Sequence, residues 1–192
     1  TKNSCEQLIV NGDMRLGTYR WYHENKYGAD KGGLRAAVGE GVDNSIALRY
    51  YNRYSKHDGP GQNLDTRCLH QNPNTFYEIE LYFSLKKELI TFICDPFGND
   101  DIDTDTQCPY ISLRHQKYHG HQLETQYNHK VAQMIAIPNN IMMANYNLVH
   151  GVFKVDESLH VTERLYMSLE GAHEKFDILI DNVSVKQMNS VC

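Results

Sequence analysis

"TFYEIELYFSL", residues 75–85, is the stretch on which the fold turns. Side chains along a strand alternate between faces with period 2. Here Tyr77, Ile79, Leu81, Phe83 and Leu85 hold one phase without a break, which predicts a half-buried strand. The other phase carries Phe76, Glu78, Glu80, Tyr82 and Ser84, too polar for a second core and too aromatic for an ordinary solvent face.

The same pattern extends in both directions. "LIVNGDM" ends at the turn pair Asn11-Gly12, and "SIALRYYNRY" alternates around Ile46, Leu48 and Tyr50. "LITFICD", "YISLRHQ", "NLVHGVFKV", "VTERLYMSLE" and "FDILIDNVSV" follow at irregular spacing. Only "VAQMIAIPNNIMM" has a helical look, and Pro138 breaks it. Many short strands separated by turn signals predict an all-β chain: a β-jelly-roll sandwich of two antiparallel sheets, one domain over residues 1–192. In "ILIDNVSV", residues 178–185, the apolar phase slips at Asp181-Asn182. A slip of one residue predicts a β-bulge, which re-aims a side chain. Asn182-Val183-Ser184 is also a glycosylation sequon, and a position inside a strand argues against its use.

Net charge is -5 with both signs interspersed, so no basic stripe exists for a phosphate backbone and nucleic acid is not an expected partner. No apolar run is long enough to span a bilayer and no charged, then apolar, leader opens the chain; the expectation is a mature product without membrane insertion. Of the five cysteines, Cys94 and Cys108 bracket a polar, acidic loop that a disulfide would order, and Cys5 with Cys192 is the second candidate pair, at the two chain ends. Cys68 is then left over. Disulfides, with a tyrosine-rich and lysine-poor surface, predict a secreted or extracellular, cell-surface protein.

Sugars present apolar C–H faces and many hydroxyls, so a binding site for them interleaves flat aromatic rings with planar hydrogen-bonding groups. The chain has thirteen tyrosines and one tryptophan. Glu80 and Tyr82, then Tyr110, Ser112 and Arg114, then Arg164, Tyr166 and Ser168 share the non-core phase of three strands and together would make such a face. Any one of these tyrosines is equally a good strand former. An enzyme would need other constellations. His115, His119, His121 and Glu124 resemble a cupin metal set, but the preceding glycine is missing and the carboxylate is one residue short, so surface histidines are expected. Glu80 and Glu170 could be offered as a hydrolytic pair, without any spacing that places them. Asp101, Asp103 and Asp105 alternate like calcium ligands but lack the turn glycine of such loops.

"LIVNGDM…YRW", "IALRYYNRYSKHDGPGQNL", "TFYEIELYFSL", "YNLVHGVFKV" and "YMSLEGAHEKFDILIDNVSV", in this order, resemble the landmarks of carbohydrate-binding modules of the family four, nine and twenty-two type. That resemblance implies a galactose-binding-like β-jelly roll with a ligand cleft across a concave sheet and, commonly, a structural calcium. It places Arg53 and Gln62 at ligand-site positions, with His57 where the modules usually carry a tryptophan, so that either the ligand differs or the platform has moved to Tyr54; Trp21 matches the first-strand tryptophan, as core or as platform. It also implies a calcium held by Asp13, Glu40, Asp43 and Asp181, although Arg15 replaces one carboxylate of the usual set. Arg15 could instead bridge Asp181 and Glu40, or Asp181 could simply cap the bulge. The function expected is noncatalytic binding of extracellular or cell-wall polysaccharide, with neighbouring domains of a larger protein as possible partners. A structural or adhesive building block is the alternative, and a cupin-like metalloenzyme the third.

Overall fold

The computed structural model describes residues 5–23, 32–71, 73–95, 107–119, 122–132, 145–160 and 162–188, with backbone only for residues 115–119, 122–132 and 158. Among the described residues there are eleven strands, two short α-helices and one 3-10 turn (Val42–Asn44): β1 (Tyr22–His23), β2 (Gly33–Val38), β3 (Ile46–Tyr51), β4 (Pro60–Leu64), α1 (Thr66–Gln71), β5 (Phe76–Lys87), β6 (Ile90–Phe92), β7 (Tyr110–His119), β8 (Gln122–Ala132), β9 (Asn147–Lys154), α2 (Glu157–His160), β10 (Arg164–Glu170) and β11 (Asp177–Gln187). They form a β-jelly roll of two sheets. One runs β1-β4-β10-β7-β8; the other runs β2-β3-β11-β5-β6, with β9 also on β5, and every pairing is antiparallel.

β5 behaves as its alternation requires. Tyr77, Ile79, Leu81, Phe83 and Leu85 are all buried in the core between the sheets. They meet Ile111, Leu113, Leu165, Met167 and Leu169 from β7 and β10, all members of the same apolar cluster. Each such side chain contributes about 1.5–3 kcal/mol on burial, enough to fix which phase faces inward. Trp21 belongs to this core as well, 4% exposed, and its indole N–H donates to the Asn11 carbonyl at 3.1 Å.

The bulge lies where the phase slips. β11 pairs with β5 as Asp181↔Tyr82 and then Ser184↔Glu80, and Asn182 takes φ 48°, a left-handed conformation that asparagine tolerates. Leu179, Ala37 and Ala47 form a second, small apolar cluster, with Tyr146 packed against it.

Cys94 and Cys108 form a disulfide with Cα atoms 4.8 Å apart. The second bridge corrects the expectation of Cys5 with Cys192. Cys5 joins Cys68 on α1 at a Cα separation of 5.1 Å, because the N-terminal segment packs beside that helix. α1 itself was not foreseen, although Asp65 accepts from the Arg67 amide at 3.1 Å in the manner of an N-cap. Of the helical-looking stretch, residues 131 and 132 end β8 and the rest lies outside the described residues. Among the described residues no helix is long and apolar enough to cross a membrane.

Candidate functional site

The outer face of the five-stranded sheet gathers the chemistry. β10 and β7 run in register as Tyr166↔Arg114, Ser168↔Ser112 and Glu170↔Tyr110, while β4 sets Asn63 against Tyr166 and Gly61 against Ser168. Tyr22 of β1 stands beside Gly61. Since Leu165, Met167 and Leu169 of β10 point into the core, the alternate residues form rows on the outside.

Those rows are buried despite facing outward. Ser112, Arg114, Tyr166, Ser168 and Glu170 are each no more than 5% exposed. Arg114 Nη2 donates to Glu170 Oε2 at 2.5 Å. The two stand two rows apart, and the row between them carries the serines, whose small side chains leave room for the long ones to meet. Tyr166 leans over Gly61, where a Cβ would strike its hydroxyl; Tyr110 leans over Gly171, where a Cβ would lie 2.5 Å from its ring. Gly171 has φ +104°, which with the ring contact makes glycine the fitting residue there.

Tyr166 Oη and Ser168 Oγ, both buried on this face, have no hydrogen-bond partner among the described residues. Burial pushes the Tyr166 phenol up to about 12, so the hydroxyl keeps its proton and remains both donor and acceptor. Leaving such groups unmatched costs about 1–3 kcal/mol each, a cost that a hydroxyl-bearing ligand would offset. Glu170 is the one carboxylate among the outward residues of β1, β4, β7 and β10 with described side chains, and it is paired with Arg114. Hydrolysis by two facing carboxylates has no second member there.

The expected site residues divide. Tyr110, Arg114 and Tyr166 come together on this face, with Ser112 and Ser168. Glu80 and Tyr82 do not join them: β5 lies in the other sheet, and its polar phase looks out from the opposite side of the sandwich. There the Glu80↔His150 pairing assembles Glu78, Glu80 and His150 with donor atoms within 4.8 Å, and His150 Nε2 lies 2.7 Å from Glu78 Oε1. Arg53 is an internal clamp rather than a ligand contact. It donates to the carbonyls of Ser55, Lys56, Asp58, Ala172, His173 and Phe176, and desolvation lowers its pKa to about 10. Gln62 points inward and holds both the N–H and C=O of Val10, at 2.7 and 2.8 Å. Trp21, in the core, offers no platform.

Tyr54 and His57 are exposed in the β3–β4 loop. Asp58 shapes that loop by accepting from the Tyr54 and Ser55 amides, and the Gly171 amide donates to the Lys56 carbonyl at 2.6 Å. The loop therefore stands at the Glu170 end of the outer face. Sequence reasoning missed Tyr22 and Asn63; alternation outward from Gly61 could have found Asn63, whereas the β1 pairing left no signal.

The calcium set does not assemble. Asp13 pairs with Arg15 at 3.1 Å on the surface, and Asp43 is exposed. Glu40 faces two cations, Lys86 Nζ at 2.8 Å and Arg49 Nη1 at 3.4 Å. Asp181 is fully buried and accepts from Val42 N at 2.9 Å, Ser45 Oγ at 2.6 Å and Asn182 N at 2.7 Å. A calcium ion needs about six to eight oxygens free to face it. Carboxylates already turned to N–H, O–H and ammonium donors do not fit one. Arg15 pairs with Asp13, so its bridge between Asp181 and Glu40 is not formed either. The side chains of His115, His119, His121 and Glu124, and the loop with Asp101, Asp103 and Asp105, lie outside the described residues.

No protein-family profile and no curated protein matches the chain. Solved structures do. The tandem CBM22-1–CBM22-2 domain of a Paenibacillus barcinonensis xylanase aligns at TM-score 0.62 and 13% identity, over 100% of this chain and 49% of that one. The CBM22-1 and GH10 modules of Clostridium thermocellum endo-1,4-beta-D-xylanase 10B, complexed with xylohexaose, align at 0.61 and 11%, over 98% and 30%. The single CBM22-1 xylan-binding domain from Paenibacillus barcinonensis aligns at 0.57 and 12%, over 100% of both chains. At these identities the likeness establishes a shared β-jelly-roll fold.

Proposed function

We propose that this chain is a noncatalytic carbohydrate-binding module that takes an extracellular polysaccharide on the outer face of its five-stranded sheet. The observation that carries the proposal is the buried Tyr166 and Ser168 of β10, whose hydroxyls have no partner among the described residues, beside the Arg114–Glu170 pair. A chain of sugar hydroxyls supplies donors and acceptors at both, and the Tyr166 and Tyr110 rings supply apolar contact. Xylan is the first ligand class to try, since the similarly folded modules bind it. The two disulfides support an extracellular setting, and modules sharing this fold occur beside further modules in one chain. A polysaccharide array spanning xylans, β-glucans, mannans and pectins tests the proposal: binding to at least one class is expected, and a folded protein that binds none would overturn it.

A second reading, a structural or adhesive building block, is favoured by the β5–β6 hairpin. There Leu89, Ile90 and Ile93 are 97%, 63% and 83% exposed, unusual for large apolar side chains next to a disulfide. Self-assembly on size exclusion without any glycan response would select that reading.

A further inference from the structure

Asn182-Val183-Ser184 is the one N-x-S/T sequence in the chain. Its place within a strand argued against use, and the structure removes that objection. Asn182 is the extra residue of the bulge and is exposed, whereas Asp181 and Val183 on either side are 0% and 3% exposed. At the same point β11 changes neighbours. Its pairing with β3 ends at Ile180↔Leu48, and beyond the bulge Val183 N donates to Gly12 O and Val185 O accepts from Leu8 N. Asn182 therefore faces the gap between two partners. Its own amide N–H is taken up by Asp181 Oδ1 at 2.7 Å, while its side-chain amide has no partner among the described residues.

We infer that Asn182 is an N-glycosylation site, an acceptor for an oligosaccharide delivered from a lipid pyrophosphate. In the transfer, Asn182 Nδ2 bonds to C1 of the first sugar, the bond from C1 to the pyrophosphate oxygen breaks, and the amide gives up one proton as the lipid pyrophosphate leaves. The Ser184 hydroxyl supplies the third position that the transferring enzyme reads. Three observations on the folded chain agree with this. The acceptor side chain is exposed, the left-handed backbone suits asparagine, and two disulfides fit an oxidising compartment. β11 belongs to the sheet opposite the candidate cleft, so a glycan there leaves the cleft open.

The test is intact-mass spectrometry of the full chain secreted by a eukaryotic host, before and after peptide-N-glycosidase. A hexose-and-hexosamine increment is expected, removed by the enzyme with conversion of Asn182 to aspartate. Asn182→Asp, which keeps a side chain tolerated in the left-handed region, and Ser184→Ala should lose the increment completely, and Ser184→Thr should keep it. Unmodified Asn182 in secreted, disulfide-bonded protein would overturn the assignment, whatever the polysaccharide array shows.

Discussion

Asp181 shows how one residue can be read two ways from sequence and only one way in space. Its carboxylate is buried, and burial raises its pKa, opposed by the bonds from Ser45, Asn182 and Val42. Those donors close the Gly41–Ser45 turn against β11. Asp181→Ala would strand the buried Val42 amide, costing on the order of 1–3 kcal/mol in stability. Thermal melts of wild type with calcium and with chelator should coincide, while Asp181→Ala melts well below both. A midpoint that falls on chelation would restore the ion. The resemblance made Asp181 a calcium ligand, whereas two of the donors that meet it in the structure come from 136 and 139 residues away, beyond the reach of alternation within β11.

Between elements, the outer side of the six-stranded sheet is tied by charge. Glu40, after β2, meets Lys86 of β5 and Arg49 of β3, and Arg49 Nη2 reaches Asp177 of β11 at 2.6 Å. The hydrogen bond from Lys86 is the largest influence holding the Glu40 carboxyl below its ordinary 4.5, with desolvation opposing it. A lowered carboxyl contributes stability that is present above pH 4.5 and is lost as pH falls through the folded-state value. Glu40→Gln should therefore be less stable than wild type near neutrality, by no more than about 1 kcal/mol for a partly exposed ion pair. The difference should vanish in acid, and urea melts across pH 3–7 measure it; a gap that stays constant would remove the ion pair from the account. Alternation made β5, β7, β10 and the bulge legible, because period 2 is written locally. Which strands share a sheet is not written there. Glu80 and Tyr82 have the same phase and chemistry as Arg114 and Tyr166, yet pairing with β11 and β9 sends them to the other side.

For the whole molecule, two sheets share one core and turn different polar faces outward. One is tied internally by Glu40, Arg49, Lys86 and Asp177; the other leaves Tyr166 Oη and Ser168 Oγ without partners among the described residues. The sandwich was readable from strand pattern and landmark order, whereas Arg53, Gln62 and Trp21 took inward structural positions that their polar or aromatic chemistry did not announce. Backbone carbonyls of two loops, residues 55–58 and 172–176, claimed the guanidinium, and a neighbouring segment claimed the amide. The claim that follows is one of sides: polysaccharide is bound on the five-stranded sheet and not on the six-stranded one. Titration calorimetry with xylohexaose, or with the tightest soluble oligosaccharide from the array, on wild type, Tyr166→Phe and Tyr82→Phe tests it most directly. Losing one hydrogen bond of about 0.5–1.5 kcal/mol should weaken binding by about 2- to 12-fold in Tyr166→Phe and leave Tyr82→Phe at wild-type affinity. Unchanged affinity in Tyr166→Phe together with weakened affinity in Tyr82→Phe would put the site on the other sheet and contradict the account.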